Sequence, residues 1–296
     1  MTPNEYLKAL LDSQKLRKDE LDELTKHREE VEAALQKELG SGPAIRYGGS
    51  KAKHTMIRES YDLDILCYFP PEEERTLKEI YQAVSGALGK KYVLQPKASA
   101  VRILSLKPTS GTGGANGDYH VDVVPGRYID NKGPNVFIYV SDGEAERMQT
   151  NIQTHVDYIS VSECREVIKL TKLWRCRHKL PGRTFVFETF VVEELKGSRT
   201  KDDIEKSMLA VLEGLRDRVE SVRLVDPANT NNVVSDLISE GEKKLIAGAA
   251  RDGLASIANN SENPVQGWKT VFSDYSAVKE SREPAKIEPP RRPWSE

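Results

Sequence analysis

Apolar residues recur at helical spacing from the start of the chain: Tyr6, Leu7, Leu10 and Leu11, then Leu21, Leu24, Val31 and Leu35 amid dense Lys and Glu. The pattern predicts one long helix over 4–38, ended by Gly40, Gly42 and Pro43. From 44 onward the period changes. Ile45-Arg46-Tyr47 reads as a strand broken by Gly48-Gly49-Ser50, and Leu63 to Phe69 is rich in strand formers and stops at Pro70-Pro71. A helix is expected over 73–89, with Leu77, Ile80, Tyr81, Val84 and Leu88 as its apolar face. Strands are expected over 92–95, 99–106, 119–124 and 136–139, with a Gly-rich loop at 109–117. Beyond 151 the pattern is helical, over 162–179, 201–221 and 233–259, and a Pro-rich charged stretch at 279–296 is expected to be disordered. The fold class is α+β: a bilobed chain with an N-terminal helix and mixed-sheet lobe over 1–150, a helical lobe over 151–278 and a flexible tail over 279–296.

Composition narrows the function classes. The chain has 296 residues, 38% of them hydrophobic, enough to bury a sizeable core. Its 44 cations nearly cancel 46 anions, so a net charge of −2 argues against gripping long nucleic acid by overall charge. Any polyanion site must be local. Cys67, Cys164 and Cys176 show no metal-ligand spacing and read as reduced thiols. The start of the chain runs into a charged helix and reads as lacking a signal peptide. No apolar run approaches the roughly 18 residues of a membrane span. The expectation is a cytoplasmic monomer with no membrane partner.

The chemistry concentrates between 48 and 65. Asp62 and Asp64 lie two apart in strand-like sequence, so both side chains leave one face while Leu63, Ile65 and Cys67 face a core. Adjacent like charges repel, and a divalent cation is the common reason a fold keeps them together. Asp122, in a second strand-like stretch ending Val123-Val124-Pro125, supplies a third carboxylate. Asp118 competes for that role, and the valines and Pro125 favour Asp122. Three hard oxygen donors predict magnesium rather than zinc, as two ions with manganese as a substitute, suited to in-line phosphoryl transfer. Gly49 and Ser50 open a predicted helix whose N–H groups and hydroxyl suit triphosphate oxygens, with Lys51, Lys53 and Arg58 close by. Each element has a blander reading: Gly-Ser is a common turn, and a lone Asp-x-Asp is often solvated.

Together the pattern resembles the polymerase-β-type nucleotidyltransferases: Gly49-Ser50, an eleven-residue gap, Asp62-Leu63-Asp64-Ile65, then Asp122. Thr55-x-Ile57 and Val123-Val124-Pro125 are similar to the bacterial cyclic-oligonucleotide synthases, the CD-NTases, and to their animal relatives oligoadenylate synthetase and cyclic GMP-AMP synthase. So are Ile168-Lys169-Leu170-Thr171-Lys172-Leu173-Trp174, which resembles their Leu-x-x-Lys-x-Trp helix, Glu188 in its apolar segment, Asp226-Pro227 before Asn231-Asn232, and Trp268-x-x-x-Phe272, although Ser273 stands where those enzymes carry glycine.

The resemblance implies an N-terminal helix spanning the back of two lobes, with the active site between them. It implies catalysis and metal binding at Asp62, Asp64 and Asp122, and triphosphate binding at Gly49, Ser50 and Lys172. Lys172 is chosen among many neighbouring cations by that likeness alone. The implied activity is condensation of nucleoside triphosphates into a cyclic di- or trinucleotide. That product would act on a downstream effector in bacterial antiphage (CBASS) defence. A linear nucleotidyltransferase that tails RNA or modifies a protein, and an inactive nucleotide-binding scaffold, are the competing readings.

Overall fold

The computed structural model describes residues 1–106, 119–141, 146–198 and 203–273. The Gly-rich segment 109–117, the alternative ligand Asp118 and the tail 279–296 lie outside the described residues.

The N-terminal region forms two helices rather than one: α1 (Pro3–Ser13) and α2 (Lys18–Leu39). No Pro or Gly lies between them. Tertiary bonding makes the break. Gln14 is buried; its side chain accepts from Glu59 N (3.1 Å) and donates to Glu59 Oε1 (2.8 Å), while its carbonyl accepts from Arg58 N (3.0 Å). These bonds divert the backbone from the i→i−4 ladder. A new helix starts where the fully buried Glu20 folds back to accept from Arg17 N at 2.7 Å. The two helices serve different cores. α1 buries Leu7 and Leu11 among Trp174, Met208, Trp268 and Phe272 of the helical lobe. α2 buries Leu24, Val31 and Leu35 against the sheet.

That sheet is mixed. β1 (Ala44–Tyr47), β2 (Leu63–Phe69), β3 (Leu94–Pro96), β4 (Val101–Ile103) and β5 (Val121–Tyr128) lie in the order β1-β2-β5-β4-β3. β2 and β5 are parallel and joined through α4 (Leu77–Gly89). β5 pairs on its far side first with β4 and then with β6 (Val136–Tyr139), which pairs with β7 (Arg147–Thr150). Period-two alternation sends Leu63, Ile65, Cys67, Val121 and Val123, all fully buried, into a core with α2 and α4. The expected start of α4 at 73 moves to 77. There Thr76 and Glu79 form a capping box, Thr76 accepting from Glu79 N at 3.2 Å and Glu79 from Thr76 N at 2.7 Å.

The second lobe is helical: α5 (Ile152–Ser162), α6 (Arg165–Arg177), α7 (Thr184–Glu194), α8 (Ile204–Arg218), α9 (Glu240–Ala258) and α10 (Pro264–Val271). The helix expected over 162–179 starts at Arg165, because Glu163 is left-handed (φ 59°) and ends α5. The helix expected over 233–259 divides at Ser239, which caps α9 by accepting from Glu242 N. A two-stranded hairpin, β8 (Val225–Asp226) and β9 (Asn229–Val233), was not foreseen. α7 buries its middle on every side, from Val186 to Val192, so it has no amphipathic period to betray it.

Candidate active site

The parallel register of β2 and β5 sets Asp64 directly opposite Asp122, and the antiparallel register of β4 sets Arg102 opposite Asp122 on its other side. One face of three strands therefore reads Asp64, Asp122, Arg102. Asp62, two residues before Asp64, shares that face, and its Oδ1 accepts from His120 N at 3.1 Å.

The three carboxylates sense one another. Burial, then Asp122, pushes the Asp62 carboxyl up to about 6 against the His120 N–H, Arg102 and Lys172. Burial, then Asp62 and Asp122, pushes Asp64 up to about 6 against Lys53 and Lys172. Two acids destabilised in their charged form on one face of a strand are a feature that functional sites share.

α3 (Gly49–Lys53) packs onto this face. Gly48 N donates to Asp64 O at 2.8 Å, which carries β1 into the turn. Gly49 has φ +47°, and a Cβ there would stand 1.6 Å from Asp64 Oδ2. Glycine is required both for its backbone conformation and for the room it leaves the carboxylate. Ser50 follows in the same turn.

Behind α3 lies a buried ionic cluster that ties the lobes together. Glu188 of α7 accepts from Lys53 Nζ and from Thr55 Oγ1 (2.9 Å), and Lys172 Nζ of α6 donates to Thr55 O (2.8 Å). Glu188 and Thr55 are fully buried, and Lys53 and Lys172 nearly so. Burial pushes the Glu188 carboxyl up, but Lys53 and Lys172, with the bonds from Lys53 and Thr55, hold it below the usual carboxylate range. Burial drives Lys172 down to about 8; Glu188 opposes this, Lys53 adds to it, and Asp62 and Asp64 oppose it. Lys172 thus feels the charge of both Glu188 and the aspartates.

The structure sorts the remaining candidates. Lys51 sits with its Nζ 5.7 Å from the Tyr47 ring centroid. Arg58, expected near the triphosphate, instead donates to buried Glu20 at 3.0 Å, away from the aspartates. Asp226 is the hub of a turn, accepting from Ala228 N (2.8 Å) and Asn232 Nδ2 (3.1 Å) and pairing with His155 (2.7 Å). Trp268 is core, with its indole N–H on Glu205 at 3.0 Å.

Sequence reasoning passed over Arg102, although Val101-Arg102-Ile103 announces a lone cation on the face opposite two core residues. Its Nε and Nη2 donate to the two oxygens of Asp122, each at 2.8 Å. Among the described residues, no group of three His, Cys, Asp or Glu side chains could hold a metal ion as it stands. Donor chemistry nonetheless fits a hard divalent cation: three carboxylates on one face, two of them destabilised in their charged form by burial and then by their acidic neighbours. Arg102 is the competing cation.

Neither a scan against protein-family profiles nor a comparison with curated proteins finds a match. Solved structures do match, and they define the class: the chain has the polymerase-β-like, bilobed fold of the CD-NTases. The particular relatives are CdnC of E. coli MS115-1 in complex with HORMA-deltaN and the Bradyrhizobium diazoefficiens CD-NTase CdnG in complex with GTP. CdnC superposes with a TM-score of 0.70 at 18% identity, over 92% of this chain and 97% of that one. CdnG gives 0.71 at 12% identity, over 95% and 99%. Vibrio cholerae DncV, a cyclic AMP-GMP synthase, gives 0.63 at 15% identity, over 92% and 84%. Among the described residues, no helix is long and apolar enough to cross a membrane.

Proposed function

We propose that this chain is a divalent-cation-dependent nucleotidyltransferase that condenses nucleoside triphosphates into a cyclic di- or trinucleotide. The observation that carries the reading is the face shared by Asp62, Asp64 and Asp122. It belongs to a fold whose solved examples include GTP-bound CdnG and a cyclic AMP-GMP synthase.

Asp62 and Asp64 would hold magnesium, joined by Asp122, in the two-ion arrangement that suits this chemistry. Bound there, the ions supply charge neutralisation for the triphosphate and acidify the acceptor hydroxyl. The chain's own residues do the rest. Gly49 lets Asp64 stand against α3, and Ser50 offers its hydroxyl at the adjacent turn. Lys172, held by Thr55 O, contributes positive charge facing Asp62 and Asp64, where phosphates arrive. By its likeness to the polymerase-β-type enzymes, Asp122 would also help deprotonate the acceptor hydroxyl, once Arg102, which now holds both of its oxygens, lets go. The buried Lys53–Glu188 pair keeps α3 fixed to the helical lobe, so the groups from the two lobes meet in one geometry.

A cyclic product acting on an effector in bacterial antiphage defence is the role that best suits this fold. The test is direct. The protein is incubated with labelled nucleotide mixtures and Mg²⁺ or Mn²⁺, and the products are treated with phosphatase. A resistant, low-mass product supports the proposal. Label on added RNA or protein supports a linear transferase, and no incorporation supports a scaffold. Asp64→Asn lowers turnover by at least about 10²-fold through weakened ion binding, and an active variant refutes the assignment.

A further inference from the structure

Asp122 occupies an unusual position for a side chain meant to ligate a cation: both of its oxygens already serve one. The Arg102 guanidinium grips it in the two-pronged geometry that makes Arg–carboxylate pairs strong and directional. Both side chains are largely sheltered, at 20% and 16% exposure, so solvent screens the pair only weakly. The strand register holds them opposite each other, so the contact is built into the backbone and is no chance meeting of flexible surface groups. A fixed positive charge therefore sits where a mobile one would bind.

We propose that Arg102 is a built-in counter-cation that competes with the divalent ion for Asp122, so that loading the site requires the guanidinium to let go. This rests on the reading of the aspartate face as a cation site. Arg102 in this role is a positioning residue: it sets the charge balance of the empty groove and acts on the reaction through Asp122. The chemistry is an exchange with no bond made or broken, one cation leaving the carboxylate as another arrives. In the empty protein the arrangement offsets the repulsion among three adjacent carboxylates. Its cost is weakened affinity for the ion, which makes Asp122 the last ligand to engage.

The direction of this effect separates it from a purely structural role. If Arg102 only props up the sheet, removing it loosens the site and weakens ion binding. If it competes, removing it strengthens binding. Mn²⁺ binding to the full chain without nucleotide, followed by electron paramagnetic resonance, reads this without reference to turnover. Arg102→Gln is expected to bind Mn²⁺ at least about tenfold more tightly than the unaltered protein. Arg102→Lys, which keeps the charge but loses the fork, is expected to fall between them. Thermal melts give a second readout: Arg102→Gln melts lower than the parent without metal and gains more from added Mn²⁺. Equal or weaker Mn²⁺ binding by both Arg102 variants, with binding still dependent on Asp64, overturns the proposal and leaves the cation site standing. Mn²⁺ binding unaffected by Asp64→Asn overturns both.

Discussion

The closest contact at the site gives the sharpest test. Gly49→Ala adds one methyl group at φ +47°, 1.6 Å from Asp64 Oδ2 and 2.5 Å from its carboxyl carbon. Two costs follow. A non-glycine residue in the left-handed region loses about 1–2 kcal/mol, which for a domain of this size lowers the melting temperature by roughly 2–8 °C. The second cost falls on geometry. Ordinary carbon contacts lie at about 3.5–4 Å, so the carboxylate must retreat by roughly 2 Å. Its backbone cannot follow, because β2 is paired on both sides, with β1 and with β5. The side chain must therefore swing out of the row it forms with Asp122. Misplacement of a reacting group by about 1 Å can cost 10²-fold, so nucleotide incorporation should fall at least about 100-fold while the protein stays folded. Gly48→Ala is the control. Its Cβ would meet Leu66 Cδ2 at 2.8 Å and Cγ at 3.1 Å but stand 3.4 Å from Asp64 Cβ, so Leu66 must shift while the carboxylate keeps its place, and activity should largely survive. The assays are labelled-nucleotide incorporation across a Mn²⁺ titration and a thermal melt. Wild-type turnover by folded Gly49→Ala would refute the placement of Asp64 against α3.

Three further outcomes follow from the buried polar groups. Glu188→Ala strands Lys53 and Lys172 without their carboxylate. Breaking a buried pair on one side costs about 3–5 kcal/mol, so the melting temperature should drop on the order of 10 °C, and an unchanged melt rejects the cluster as an interlobe tie. Lys172→Met tests a pH dependence. The folded lysine sits near 8 against an ordinary 10.5, so the folded chain holds the proton less tightly than the unfolded one. Its burden is complete below about pH 8, at about 3 kcal/mol, and fades as pH rises toward 10.5. The methionine variant leaves Glu188 to Lys53 alone and Thr55 O without its donor, but relative to the parent its stability should rise as the pH falls from about 10 to about 8 in denaturant titrations, while it incorporates nucleotide poorly. A constant difference across that window contradicts the assignment. Gln14→Ala removes the side chain that bonds Glu59 twice and should cost about 1–3 kcal/mol in the same titrations; no loss would mean that the α1–α2 break is set elsewhere.

What the sequence made legible was local and periodic. Alternation at Leu63, Ile65 and Cys67 correctly separated a core face from the face bearing Asp64, and the same reading at Val121 and Val123 set Asp122 on the face away from the core in its own strand. Long-range pairing was not visible. The break after Ser13 depends on bonds from Gln14 to residues 58 and 59, so a helical stripe running through it looked continuous. The Lys53–Glu188 pair joins positions 135 apart, and nothing near either residue names the other. Arg102 was hidden differently. Its strand was foreseen, but its importance comes from register across two neighbours, which depends on how β4 enters the sheet. Likewise α7, buried on all sides, has no polar stripe to give its period.

The divided N-terminal segment has a practical consequence. Leu7 and Leu11 complete the interior of one lobe, and Leu24, Val31 and Leu35 that of the other. Neither lobe can therefore be produced alone by cutting at a boundary near 150: the downstream piece would lack the plug that α1 provides and expose a greasy trench along α6, α8 and α10. A chain trimmed before Ser13 should suffer the same fate, precipitating or recruiting another hydrophobic helix. Any dissection of the protein must carry its first forty residues along with both halves.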